Sequence, residues 1–138
     1  MRFRYLADPL FLLCFVLYFV NRFLFKRLVG DGFFHDHFND LICLPFWVPI
    51  LVLLKSKLGL RADHAPPHPD EILIPLIVWS AVFELYLPHV RHFQGLATAD
   101  PEDILWYVVG GLLASVIWPI TYRARNQRAL AGGRIAPR

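Results

Sequence analysis

Apolar residues gather along this chain into four long stretches separated by short polar or proline-rich segments, and none of the four shows the polar face a water-exposed helix needs. The clearest is Ile104 to Tyr122, nineteen uncharged residues with Trp106 and Tyr107 near one end and Trp118 and Tyr122 near the other. As a helix it rises roughly 28 Å, close to the hydrocarbon thickness of a bilayer, with its amphipathic aromatics at headgroup depth. Pro9 to Val20 is apolar and continues through Asn21 and Arg22 to Phe25. Leu41 to Leu54 reaches spanning length only with the polar turn from Phe34 to Asp40, and Ile72 to Leu87 is interrupted by Ser80 and Glu84. The pattern predicts an all-α, polytopic membrane protein, a bundle of four transmembrane helices at about residues 9–28, 34–54, 71–87 and 101–122. A basic tail, 123–138, completes a single membrane domain over 1–138.

The segment ends carry helix signals. Asp8-Pro9 and Asp100-Pro101 each place an acidic cap before a proline at the first helical position, and Asp103 is spaced to complete the second cap. Gly30-Asp31-Gly32 ends the first helix, Pro66, Pro67 and Pro69 stiffen the middle connection, and Asp70 is placed to start the third helix. Pro45 and Pro49 predict a kinked or locally unwound second helix. With the N-terminus in the cytoplasm, ten Lys and Arg residues lie inside and four (Arg22, Lys26, Arg27 and Arg91) outside. The positive-inside rule therefore favours a multi-pass inner-membrane protein with both termini cytoplasmic. Val20 is followed by no small-residue cleavage pattern, so the first helix is expected to stay uncleaved. In this topology Cys14 and Cys43 lie at different depths, too far apart for a disulfide.

Composition agrees: 57% of residues are hydrophobic and 18% charged. The net charge of +3 raises nucleic acid as a partner, but the basic residues flank apolar segments and form no separate basic domain. The expected partner is the lipid bilayer, at an anionic face, and no nucleic acid. Gly110 with Ala114, and Gly111 with Ser115, are small-residue pairs suited to close helix packing, within the chain or in a homo-oligomer.

Chemistry concentrates at the outer end, which takes seven of eleven acids and four of six histidines. Asp36 and Asp40 are spaced to share a helix side, as are His37 and Asp40. Glu84 is enclosed by apolar sequence on both sides, a place where a carboxylate must be protonated, hydrogen-bonded or paired. The candidate ligand- or proton-binding set is Asp36, Asp40, Glu84, Asp103 and Tyr107. His35, His37, His89 and His92 are candidate ligands for a divalent cation, the one cofactor these residue types suggest, although no H-E-x-x-H or C-x-x-C spacing is present. His64 and His68, in the proline-rich loop, are expected to face solvent.

Ser80-x-x-x-Glu84 followed by Thr98-x-Asp100-x-x-Asp103-x-x-x-Tyr107-x-x-Gly110 resembles the signature of the VanZ-like family of small bacterial membrane proteins, with Tyr107 where the family has Asn. That resemblance implies a role at the cell envelope, where VanZ-like proteins are associated with glycopeptide (teicoplanin) resistance. The segment His35 to Pro45 is similar to short bacterial membrane proteins labelled magnesium–citrate transporter. Three function classes follow: a membrane binding protein whose outer-face site holds a cation, proton or polar headgroup; a small cation or carboxylate transporter with the Pro45/Pro49 helix as its broken element; and a membrane-embedded enzyme on lipid or cell-wall intermediates. The enzyme ranks last, because no nucleophile is paired with a base in the sequence.

Overall fold

The computed structural model describes residues 2–90 and 100–132, apart from the side chains of Glu84, Leu85 and Gly132. Four helices long and apolar enough to cross a membrane make up almost all of it: α1 (Pro9–Leu28), α2 (Phe33–Lys57), α3 (Pro69–His89) and α4 (Pro101–Gly132). The protein is an all-α four-helix bundle of the multi-pass membrane type. Side chains that would form the inside of a water-soluble protein stand outside, among them Leu13, Val16, Phe23, Ile74, Leu112 and Ile120, each more than half exposed. An apolar surface of that extent is stable only against lipid.

Proline shapes the central crossing, though not by breaking α2. From Phe38 to Lys57 the helix runs on through Pro45 and Pro49, both buried. The local unwinding that the prolines allow does not occur, and the carbonyl that Pro45 releases is met by a neighbouring helix. Pro45 has no N–H, so it leaves the Leu41 carbonyl four residues earlier without its helical donor. That carbonyl faces Gly110 of α4, where a Cβ would collide with its oxygen. Glycine therefore sets how closely α2 and α4 cross. Gly111 packs next to the Leu44, Ile72 and Leu76 side chains, and Ala114 is fully buried, so this part of the small-residue stripe is used within the chain.

The irregular turns lie elsewhere. α1 widens to a π turn over Asn21–Phe25, and α3 does so over Ser80–Tyr86 before a 3-10 turn, Leu87–His89. At the other end α4 does not stop with its apolar stretch but carries Arg123, Arg125 and Arg128 on as helix.

The basic end of the bundle is closed by the N-terminal segment. Asp8 caps α1 as its sequence suggests, accepting from the Leu10 and Phe11 N–H groups at 3.0 and 3.2 Å. The same carboxylate, 1% exposed, also accepts from Trp118 Nε1 at 3.0 Å and the Tyr122 hydroxyl at 2.9 Å. Tyr122 in turn accepts from the Arg4 N–H. Phe3, fully buried, packs on Tyr5, Trp118 and Tyr122. Tyr5 holds φ at 51°, a left-handed backbone that costs a bulky residue on the order of 1–2 kcal/mol. Its hydroxyl lies 2.7 Å from His64 Nδ1 and donates to Ser56 Oγ at 3.3 Å, while the Phe3 N–H donates to the His64 carbonyl. His64 is thus a structural anchor, not a solvent-facing loop residue.

A second buried carboxylate completes this end. Glu71 meets Lys55 Nζ at 2.7 Å and Arg61 Nε at 3.1 Å, and it accepts from the His68 N–H at 3.0 Å. That last bond makes His68 the cap of α3, with Pro69 at the first helical position; the helix starts earlier than Asp70 implied. Arg61 donates further to the Ala65 and Pro66 carbonyls and so ties the proline-rich loop down. At the loop surface, the Ala65 N–H donated to Asp63, together with His68 and Arg61 beside it, holds the Asp63 carboxyl below its usual range.

Candidate functional site

The opposite end is built differently. Asp100 caps α4 as expected, its carboxylate accepting from the Glu102 N–H at 2.9 Å. Asp103, spaced to complete that cap, is turned instead to α2, where its Oδ1 lies 3.0 Å from His37 Nδ1. The other ring nitrogen of His37 is 3.3 Å from the exposed Glu102 carboxylate, and the ring stacks over Trp106. His37, Asp100 and Asp103 each offer a ligand atom within 4.8 Å of the others, close enough for one divalent cation to be shared.

A break at His37 decides which acids can join this group. The short helix Phe33–Asp36 ends there with φ at −114°, and the longer one begins at Phe38, so Asp36 and Asp40 do not continue one helical face. Asp36 stays in its own exposed turn, 2.6 Å from His35 Nδ1 and accepting from the Gly32 N–H at 3.2 Å. Asp40 goes elsewhere: it lines a cavity of about 550 Å³ in the half of the bundle next to this end.

That cavity lies between all four helices. Tyr18 of α1, Asn39, Asp40, Cys43, Phe46, Trp47 and Ile50 of α2, Trp79 and Phe83 of α3, and Tyr107 of α4 form its walls, with Ile42. Its size is that of a small-molecule site, and its lining is mostly apolar and aromatic with a few polar groups at one end. Cys43 is a free thiol, as is the more deeply buried Cys14. Behind Asn39 sits Asn21, fully buried in the π turn of α1, which donates through Nδ2 to Asn39 Oδ1 at 3.0 Å. Among the described residues its own Oδ1 has no hydrogen-bond partner, and neither does the buried Ser80 Oγ on the π turn of α3. Two widened turns and two unsatisfied polar atoms therefore flank the cavity, an arrangement frequent at functional sites.

Of the residues singled out from sequence, Asp40 and Tyr107 come together at the cavity, and His37 and Asp103 at the rim, joined there by Asp100. Asp36 and His35 form a separate surface pair, and His89 is exposed at the end of α3. The side chain of Glu84 and the whole of His92 lie outside the described residues. Sequence reasoning did not single out Trp47, Trp79 and Tyr18 as cavity walls, since aromatics in a membrane helix read equally as lipid-facing. The signal for Asn21 was present: an amide in an apolar stretch has to find a partner. Comparisons with protein-family models, curated proteins and solved structures return no match for this chain.

Proposed function

We propose that this is a small inner-membrane binding protein of the VanZ-like type, whose outer end holds a cation or the polar head of an envelope molecule. The observation that carries the reading is the delivery of His37 from α2 and Asp100 and Asp103 from α4 to one place, at the end where most of the acids gather. Two carboxylates and an imidazole suit a divalent cation or an ammonium group and repel an anion. The excess of Lys and Arg at the opposite end supports that end facing the cytoplasm.

The test is a melting experiment on purified protein in nanodiscs with Mg²⁺, Mn²⁺ or Zn²⁺, and separately with free ethanolamine. At least one of these should raise the melting temperature. His37→Gln and Asp103→Asn should each weaken the effect by about tenfold in concentration, the expected cost of one coordinating or charge-assisted contact. A melt that none of the four probes moves would overturn the reading. Orientation is tested separately. A reporter active only in the cytoplasm, fused after Arg138, should work, and activity of a periplasmic reporter at that position would reverse the topology.

The transporter remains a second reading, with changed parts. Since α2 is continuous through its prolines, the π turns of α1 and α3 would have to supply the mobile elements. Uptake of a cation or carboxylate into liposomes above a protein-free control is the measurement that would favour it.

A further inference from the structure

The shape of the cavity says more than that something polar binds near it. Its lining on α2 runs from Asn39 to Ile50, roughly 16 Å along the helix axis. A hydrated ion does not need a slot of that length. The polar groups Asn39, Asp40 and Tyr107 sit at the outer end, whereas Phe46, Trp47 and Ile50 lie further along α2, where Trp47 meets Trp79. Trp47, Tyr18 and Phe83 are each more than a third exposed, on helix surfaces that face lipid, so the slot opens sideways to the bilayer. A long, apolar, laterally open slot with one polar end matches a single hydrocarbon chain carrying a head group.

The sign of that head group follows from charge. Asp40 is the only carboxylate in the lining, and no Lys, Arg or His shares the cavity among the described residues. Just above lie Asp103, Glu102 and Asp100 around His37, so the approach to the slot is acidic as well.

We propose that the cavity is a lateral binding site for a single-chain amphiphile with an amine head, its chain between Phe46, Trp47, Ile50 and Trp79 and its ammonium at Asp40 and Asn39. This deepens the outer-end binding function and rests on it, but it assigns a different residue, Asp40, and adds a hydrocarbon chain to the cation or polar head proposed at His37, Asp100 and Asp103.

Trp47 and Trp79 make the proposal directly readable. The protein is placed in phosphatidylcholine nanodiscs and titrated with a brominated long-chain primary amine, and in parallel with the alcohol and the carboxylate of the same chain. Bromine quenches an indole it touches. The amine should quench saturably at a mole fraction about tenfold below that of the carboxylate, the preference one charge contact confers. Joint replacement Trp47→Phe and Trp79→Phe should remove the saturable part, although Trp106 and Trp118 remain. Asp40→Asn keeps the shape and should bring amine and carboxylate together, while Cys43→Phe, which fills the slot, should abolish saturable quenching by all three.

Absence of saturable quenching by any chain in the wild-type protein would overturn the proposal, as would equal potency of amine and carboxylate. Because these readings use the wild-type protein, they hold even if a variant fails to fold. A chain that does not bind, combined with a melting shift by a divalent cation that depends on His37 and Asp103, would reject the amphiphile site and leave the outer-end function standing.

Discussion

The two ends of this bundle treat buried polar groups in opposite ways. At the basic end each buried carboxylate is saturated: Asp8 accepts four hydrogen bonds, and Glu71 meets two cations and a backbone N–H. Among the described residues, Asn21 Oδ1 and Ser80 Oγ at the acidic end are buried without hydrogen-bond partners beside a cavity of about 550 Å³, and two helices widen into π turns. The buried atom at the basic end that lacks a hydrogen bond, Arg61 Nε, still lies 3.1 Å from the Glu71 carboxylate. A satisfied polar network in a low-dielectric setting rigidifies, and breaking it is costly; an unsatisfied one stores the capacity to bind. The difference supports the proposed division, with stability held at one end and recognition at the other.

Removing the most heavily used group should have the largest effect. Asp8→Ala leaves the Trp118 and Tyr122 donors buried and uncaps α1, so a loss of about 3–5 kcal/mol is expected, read as a collapse of the thermal melt in detergent. Glu71→Ala strands Arg61 among buried groups, but the Ala65 and Pro66 carbonyls still hold that guanidinium. A smaller loss, roughly 2–4 kcal/mol, should appear in the same melt, together with faster proteolysis of the 58–68 loop. Gly110→Ala tests the crossing between the ends: the new methyl meets the Leu41 carbonyl, and overpacking there should cost about 1–3 kcal/mol. If it melts like the wild type, proline-freed carbonyl and glycine are not the matched pair described above.

Much of the fold was legible because the bilayer imposes length and polarity on each helix; α1 falls at residues 9–28 in both readings. What was not legible depended on partners distant in sequence. Nothing local to Asp8 announces Trp118 and Tyr122, more than a hundred positions away, and capping alone accounts for the Asp-Pro pair. Pro45 and Pro49 predicted a kinked or locally unwound helix, and the sequence does not show that Gly110 would lie against the carbonyl Pro45 releases. The candidate site was visible as an excess of acids and histidines at one end. Its division into a surface pair, a rim and a cavity was set by the break at His37, which helical spacing of Asp36 and Asp40 does not reveal.

The smallest expected effect is at the surface. Since the Asp63 carboxyl is held below its usual range, its contribution to the loop is present at neutral pH and is lost only as pH falls below the ordinary aspartate value of about 4 and through the lowered one. Asp63→Asn should abolish that acid step in loop proteolysis while leaving the melt at neutral pH almost unchanged. A large drop at neutral pH would show that the loop bears more of the basic end's stability than Glu71 and Arg61 explain.

One measurement sets the two ends directly against each other: melting of wild-type, Asp8→Asn and Asp40→Asn proteins in nanodiscs, with and without the long-chain amine. Asp8→Asn should lower the basal melting temperature and keep the ligand-induced rise, whereas Asp40→Asn should lower the basal temperature less and lose the rise. If Asp40→Asn destabilises the protein as much as Asp8→Asn does, or if the ligand-induced rise survives it, stability and recognition are not divided between the ends, and the account fails.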